Sequence, residues 1–509
     1  MKKIRLLALL IGFCLCLSVP ALAGTLTDEA VTLRWFFPMN SAWADLVTDF
    51  NELLFFQEME RITGVHIEWM LAPVGQEKEQ FNLMVNSGDL PDIITHDAGL
   101  YTYPGGGDKA VQDGAYLRLN ELMEECAPNY WNLINSTENF RSETKTDEGN
   151  IWAFSMVEAE RQGAWTGLVL RQDWLDQLGM ETPVTYDDWH EMLTRFKDEL
   201  GADVPLQLAA NVFWNDDSLI AGYGVGYRFY QVDGTVKYGP LEEGWREYLT
   251  MLHQWYEEGL IDSEFSTRSS EDLERMMYTD ESGVWFDGFY MLNTRRQLAE
   301  NENFRLVGIN TPVRAEGEVA HLRQSNNYVR GYETAVTSAC KNPELAVKYL
   351  DYIYSDKGFM LSNYGVEGIS YTLDENGQPQ WTDLILHNPD GLNINYAIHY
   401  YALHHGPMNR VWNRDAAGYT DDENACEGIW GISDDAYVMP AITMTADEGT
   451  EFANIMTDAN AYVNEMAVKF VNGMADLNDF DAFIAQLKAM RVEDAITIQQ
   501  AALTRFLAR

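Results

Sequence analysis

Apolar and polar positions alternate with two periods along the first hundred residues. Residues 31–37 (VTLRWFF) read as a strand. Residues 43–64 (WADLVTDFNELLFFQEMERITG) carry apolar side chains at helical spacing, with Gly64 as a C-cap. Residues 65–72 (VHIEWMLA) alternate as a second strand. Residues 75–89 form a second helix, stopped at Ser87-Gly88-Asp89, and Leu90-Pro91 blocks its continuation. Residues 92–97 (DIITHD) are a third strand, opened by Asp92 and closed by Asp97. Strand, helix, strand, helix, strand predicts a parallel sheet with crossover helices.

The pattern continues further on. Residues 168–200 read as strand, helix, turn, helix, with Thr185 as N-cap and Asp188 supplying negative charge in the first turn. An amphipathic helix covers 242–265 and ends near Gly259. Residues 282–293 place aromatics in a loop or short strand, and 342–355 form a helix with Pro343 at N1. A hairpin turns at Asn376-Gly377 within 369–383. Residues 387–445 read as one long irregular stretch containing a short helix, and the chain is helical from about 447.

A length of 509 residues exceeds what one core usually fills, so two lobes are expected. The first 23 residues read as a secretory signal: basic MKKIR, an apolar run, then Ala21-Leu22-Ala23 before Gly24. The alternative is a retained anchor helix, for which the apolar run is short. Cys14 and Cys16 lie inside this segment, preceded by Phe13 and Leu15 where lipidation needs a small residue. The remaining Cys126, Cys340 and Cys426 are too widely spaced for a disulfide framework or zinc motif. Net charge is −44, and −47 once Lys2, Lys3 and Arg5 are removed. Such a surface repels phosphate backbones, so no nucleic-acid partner is expected.

Several segments in order resemble the bacterial extracellular solute-binding proteins of family 1: ITGVHIEW, SGDLPDIIT, GNIWAFS, LVLRQDWLDQLGMETPVTYDDW, VDGTVKYGPLEEGWREYLTMLHQWYEEGLIDSEF and YGVEGISYTLDENGQPQWTD, between residues 62 and 383. The length and the GVEGISYT hairpin resemble the subgroup of uronate and oligosaccharide binders. The resemblance implies a two-lobed periplasmic-binding-protein-like α/β fold. Each lobe would be a mostly parallel sheet flanked by helices, with a carbohydrate held between them and passed to ABC transporter permease subunits. The signal segment points to an exported protein, and a monomer without cofactor is expected. After the signal at 1–23, the resemblance places one lobe at 24–158 plus 325–362 and the other at 159–324 plus 363–509, with crossings near Glu158, Asn326 and Tyr364. Relatives carry a calcium loop where this chain reads FKDELGADVPLQ (196–207). Its oxygen ligands are missing there, so no metal is expected.

A sugar presents flat apolar faces edged with hydroxyls, and a site for it needs aromatic planes and convergent polar groups. His96 and Asp97 end the third strand, where open α/β sheets meet ligands; for Asp97 the alternative is a cap on the next turn. Trp285 and Asp287 in GVWFDG resemble a sugar-lining segment of relatives, against core packing for Trp285. Asn211 and Trp214 follow a strand-like run. Trp43 follows the first strand and otherwise staples its helix. Arg171 either pins a ligand group or forms an ion pair. Tyr396, Tyr400 and Trp412 belong to the long insert as a cleft wall. No serine-hydrolase elbow, P-loop, zinc-protease or dinucleotide motif occurs, so no enzyme is expected. The alternatives are a binder of another polar solute such as an oligopeptide, and a secreted glycan hydrolase, whose paired carboxylates no motif identifies.

Overall fold

The computed structural model describes residues 25–27, 29–97, 101–161, 163–208 and 217–509. The signal segment, Asn211 and Trp214 lie outside them. The fold is α/β and two-lobed, built on two four-stranded sheets.

The first sheet holds β1 (Val31–Phe37), β2 (Val65–Leu71) and β3 (Ile93–Thr95). The second holds β4 (Thr166–Arg171), β5 (Val204–Leu206), β6 (Ser282–Gly288) and β7 (Leu306–Ile309). The last strand, β8 (Thr334–Val336), returns to the first sheet, giving the orders β8-β3-β1-β2 and β7-β4-β6-β5. In the first sheet β1 is parallel to β2 and β3, and only β8 is reversed. The second sheet departs from the mostly parallel expectation: β4 is antiparallel to both β6 and β7, leaving one parallel pair, β5 with β6. The reversed strand in each sheet directly follows a passage of the chain from one lobe to the other. A strand delivered that way enters from the opposite end to strands delivered by crossover helices.

Strand periodicity sends alternate residues into separate cores. Leu33, Trp35 and Phe37 face one core with Phe56 and Tyr349, while Phe36 faces another with Phe81. Leu168, Leu170 and Val284 join a large core with Trp189, Trp245 and Phe470; Val169 and Trp285 turn to the opposite face with Phe304 and Trp430. The helices Ala446–Val471, Phe480–Ala489 and Val492–Phe506 complete the large core.

Two expected elements change. The single helix over 43–64 is a helix at Ser41–Leu46, a 3₁₀ turn at Phe50–Glu52 and a helix at Leu54–Thr63. Val47 is extended, and Asp49 with Glu52 forms a capping box that restarts the chain, so local capping overrides the periodicity. Gly64 caps the last helix at φ 73°. The irregular stretch 387–445 contains two helices, Ile394–Tyr401 and Asp421–Trp430. Where the lobes meet, Val157–Glu158 lies parallel to Asn409–Arg410 and bridges antiparallel to Val329. Among the described residues no helix is long and apolar enough to cross a membrane.

Candidate functional site

A cleft of about 810 Å³ opens beside this crossing. One wall comes from the first lobe through Tyr103, Asp108, Glu143 and Trp152, and the other from Ile442, Thr443 and Met444. Ser325, Asn326 and Arg330 line the crossing side. Its volume lies within the usual range of ligand sites, about 300–1,000 Å³.

Trp152 and Tyr103 bring aromatic rings to the cleft. Trp152 is the better fixed. Its ring stacks on Tyr116 at 6.0 Å and 12°, and meets His96 edge-on at 5.5 Å. Gly107 approaches it so closely that a Cβ there would sit 2.2 Å from the indole nitrogen. Asp108 accepts from the Thr146 hydroxyl (2.6 Å) and the Asn150 amide (2.7 Å). Glu143 accepts from the Val329 backbone N–H at 2.7 Å, and burial pushes its carboxyl up. Burial pushes up Glu333 as well. Behind the lining, Glu158 is fully buried, 3.7 Å from Arg330 and 3.6 Å from Arg410. The cleft thus offers an aromatic ring and an array of acceptors, a combination that binds hydroxyl-rich molecules.

Of the residues singled out in the sequence, His96 lines this cleft. It follows β3, is 1% exposed, and burial lowers its pKa to about 3, so its ring is neutral. Asp97 is next to it and half-buried, with its carbonyl accepting from Tyr101 N–H at 2.7 Å. The others lie elsewhere. Trp43 is core rather than cleft wall: it is 1% exposed, and its indole donates to the His399 carbonyl at 3.1 Å. Trp285 is likewise core, because the strand period turns it inward, and its indole donates to Asp287 at 3.2 Å. Asp287 pairs with Arg295 at 3.3 Å inside the same lobe. Arg171 takes the ion-pair alternative: fully buried, it binds Asp173 (2.7 Å) and Asp280 (2.6 Å) between the rings of Trp174 and Phe304. Tyr396 bonds Asp45 at 3.3 Å, Tyr400 packs on the first-lobe core, and Trp412 meets Phe289 edge-on at 5.8 Å. Asn211 and Trp214 fall outside the described residues. Trp152, Tyr103 and Glu143 carry no local signature of a binding role, although Trp152 falls within the family-like segment GNIWAFS (149–155).

His399, His404 and His405 bring one ring nitrogen each within 4.8 Å of the others. Yet His399 and His404 lie face to face at 4.1 Å and 12°, so no single ion lies in both ring planes. Burial lowers the pKa of both rings, and the positive charges of Arg410 and Arg414 lower them further. His399 and His404 form a stacked pair that His405 meets edge-on.

Two α/β lobes with a polar, aromatic cleft at their junction define a ligand-capturing binding protein. The chain belongs to the bacterial extracellular solute-binding protein family, whose model matches residues 38–358. It is 24% identical over 486 residues to the fructooligosaccharide ABC transporter substrate-binding protein FusA of Streptococcus pneumoniae, covering 89% of this chain and 87% of that one. It is 20% identical over 328 residues to the polygalacturonan/rhamnogalacturonan-binding protein YtcQ of Bacillus subtilis, covering 63% and 64%. The crystal structure of the alginate-binding protein AlgQ2 without calcium matches 95% of this chain and 99% of its own, with TM-score 0.75 and 26% identity.

Proposed function

We propose that this chain captures an oligosaccharide between its lobes and delivers it to the permease of an ABC importer. The observation that carries this is the cleft of about 810 Å³, walled from both lobes and furnished with Trp152 and acceptors. The named relatives bind fructooligosaccharide, polygalacturonan and alginate. The lining carboxylates of Asp108 and Glu143 are engaged as acceptors by Thr146, Asn150 and Val329, an arrangement suited to holding hydroxyls rather than to acid–base turnover. The reading therefore includes no catalysis, no nucleic-acid partner, a monomeric exported chain and removal of residues 1–23 without lipidation. We place the lobes at 24–158 plus 325–410 and 159–324 plus 411–509. This moves the third crossing from near Tyr364 to Asn409–Arg410, since Leu403 and Met408 pack in the first-lobe core.

A thermal-shift screen over a panel of neutral and acidic oligosaccharides tests the function. At least one should raise the melting temperature and be recovered intact after incubation. Shortened products would make the chain a hydrolase. Stabilisation by oligopeptides alone would overturn the sugar assignment.

A further inference from the structure

The segment Ser142–Asp147 does two things at once. It lends Glu143, Lys145 and Thr146 to the cleft lining, and it receives two arginines from the other lobe. Arg505 and Arg509 both reach the Asp147 carboxylate, which is 2% exposed. Arg509 also donates to the carbonyls of Ser142 (2.7 Å) and Lys145 (2.6 Å), and to the hydroxyl of Thr443. Arg505 is held from its own lobe by Glu448 at 3.0 Å. Thr146, adjoining Asp147, holds Asp108 in the cleft. The Val492–Phe506 helix that carries Arg505 packs in the large second-lobe core, so the contact joins one lobe to the other at the cleft rim.

We propose that Asp147, Arg505 and Arg509 form an inter-lobe latch that holds the cleft rim closed and so sets how firmly a ligand is retained. A buried carboxylate facing two guanidiniums loses much when either side is removed. Opening separates them, so the latch acts on the open–closed balance directly. A lower closed fraction raises the apparent dissociation constant in proportion. These are positioning residues, set at the rim of the cleft. The inference rests on the two-lobed fold and not on the sugar reading, and its test needs no ligand.

The test is small-angle scattering of the ligand-free protein with hydrogen exchange at residues 142–147. Asp147→Asn, and separately Arg505→Gln with Arg509→Gln, should enlarge the radius of gyration and speed exchange about tenfold. Arg491→Gln removes pairs to Glu451 and Asp494 within the second lobe and should change neither. Circular dichroism checks folding. Arg509→Gln alone leaves Asp147 paired with Arg505 and keeps the test alive if Asp147→Asn does not fold. Latch variants as compact and as protected as wild type overturn the proposal, as does a wild type already as extended as they are.

Discussion

At the scale of single residues, two tryptophans separate binding from packing. Trp285 is 1% exposed within the second lobe, whereas Trp152 is half-buried at the cleft with its indole pressed against Gly107. Trp285→Ala removes core volume and should cost about 3–5 kcal/mol of stability, read as a lower urea midpoint. Trp152→Ala should leave the chain folded and weaken the best oligosaccharide by roughly tenfold or more, since about 1.4 kcal/mol is tenfold. Calorimetry decides: unchanged affinity in folded Trp152→Ala removes it from the site. Sequence separates the two poorly. Both sit in short apolar-aromatic runs, GVWFDG and GNIWAFS, and the difference is which way each faces in the folded lobe. That direction depends on the pairing of β6 with β4, which no local pattern encodes.

At the scale of elements, local chemistry was the readable part. Gly64 and Gly88 cap helices at φ 73° and 72°, Thr185 and Asp188 form a capping box, and Gly377 turns the hairpin at φ 76°. The helix Asp421–Trp430 is hard to see in the sequence although Thr420 and Glu423 form the same capping box, because its acidic run hides the apolar face. Strand direction in the second sheet was also hidden, since it depends on how the chain crosses between lobes. One element bears on metal dependence. The helix Tyr186–Leu200 ends at Gly201, and Gly201-Ala202-Asp203 leads straight into β5. A calcium loop needs six to eight oxygens, and these three residues bring one carboxylate. Dialysis against a chelator should therefore leave the melting temperature unchanged. A fall of several degrees reversed by calcium would defeat this expectation.

At the scale of the whole molecule, the junction between lobes is built on groups that dislike protonation. His399 and His404 are buried, their rings stack on each other, and His405 meets them edge-on. Burial, then neighbouring positive charge, lowers His399 to about 4 and the other two well below the ordinary value. Facing them are Arg330, Arg410 and Arg414, with Asp415 at 3.9 Å from His404. Unfolded histidines take up protons near pH 6.5 that the folded ones refuse, so stability is full above that value and declines as pH falls toward 4. Each histidine contributes up to about 1.4 kcal/mol per pH unit in that window. Glu143 and Glu333, raised by burial, act in the opposite sense, so the histidine share is read from the difference between wild type and a histidine variant. Urea midpoints at pH 5.5 and 7.5 should show wild type losing stability in acid, and His404→Gln losing less. Equal losses in the two proteins would mean that the stacked imidazoles do not govern the acid response. Because the stack adjoins Asn409–Arg410, acid should also loosen the crossing before either lobe core melts, so the radius of gyration should rise at a higher pH than the one at which far-ultraviolet circular dichroism collapses.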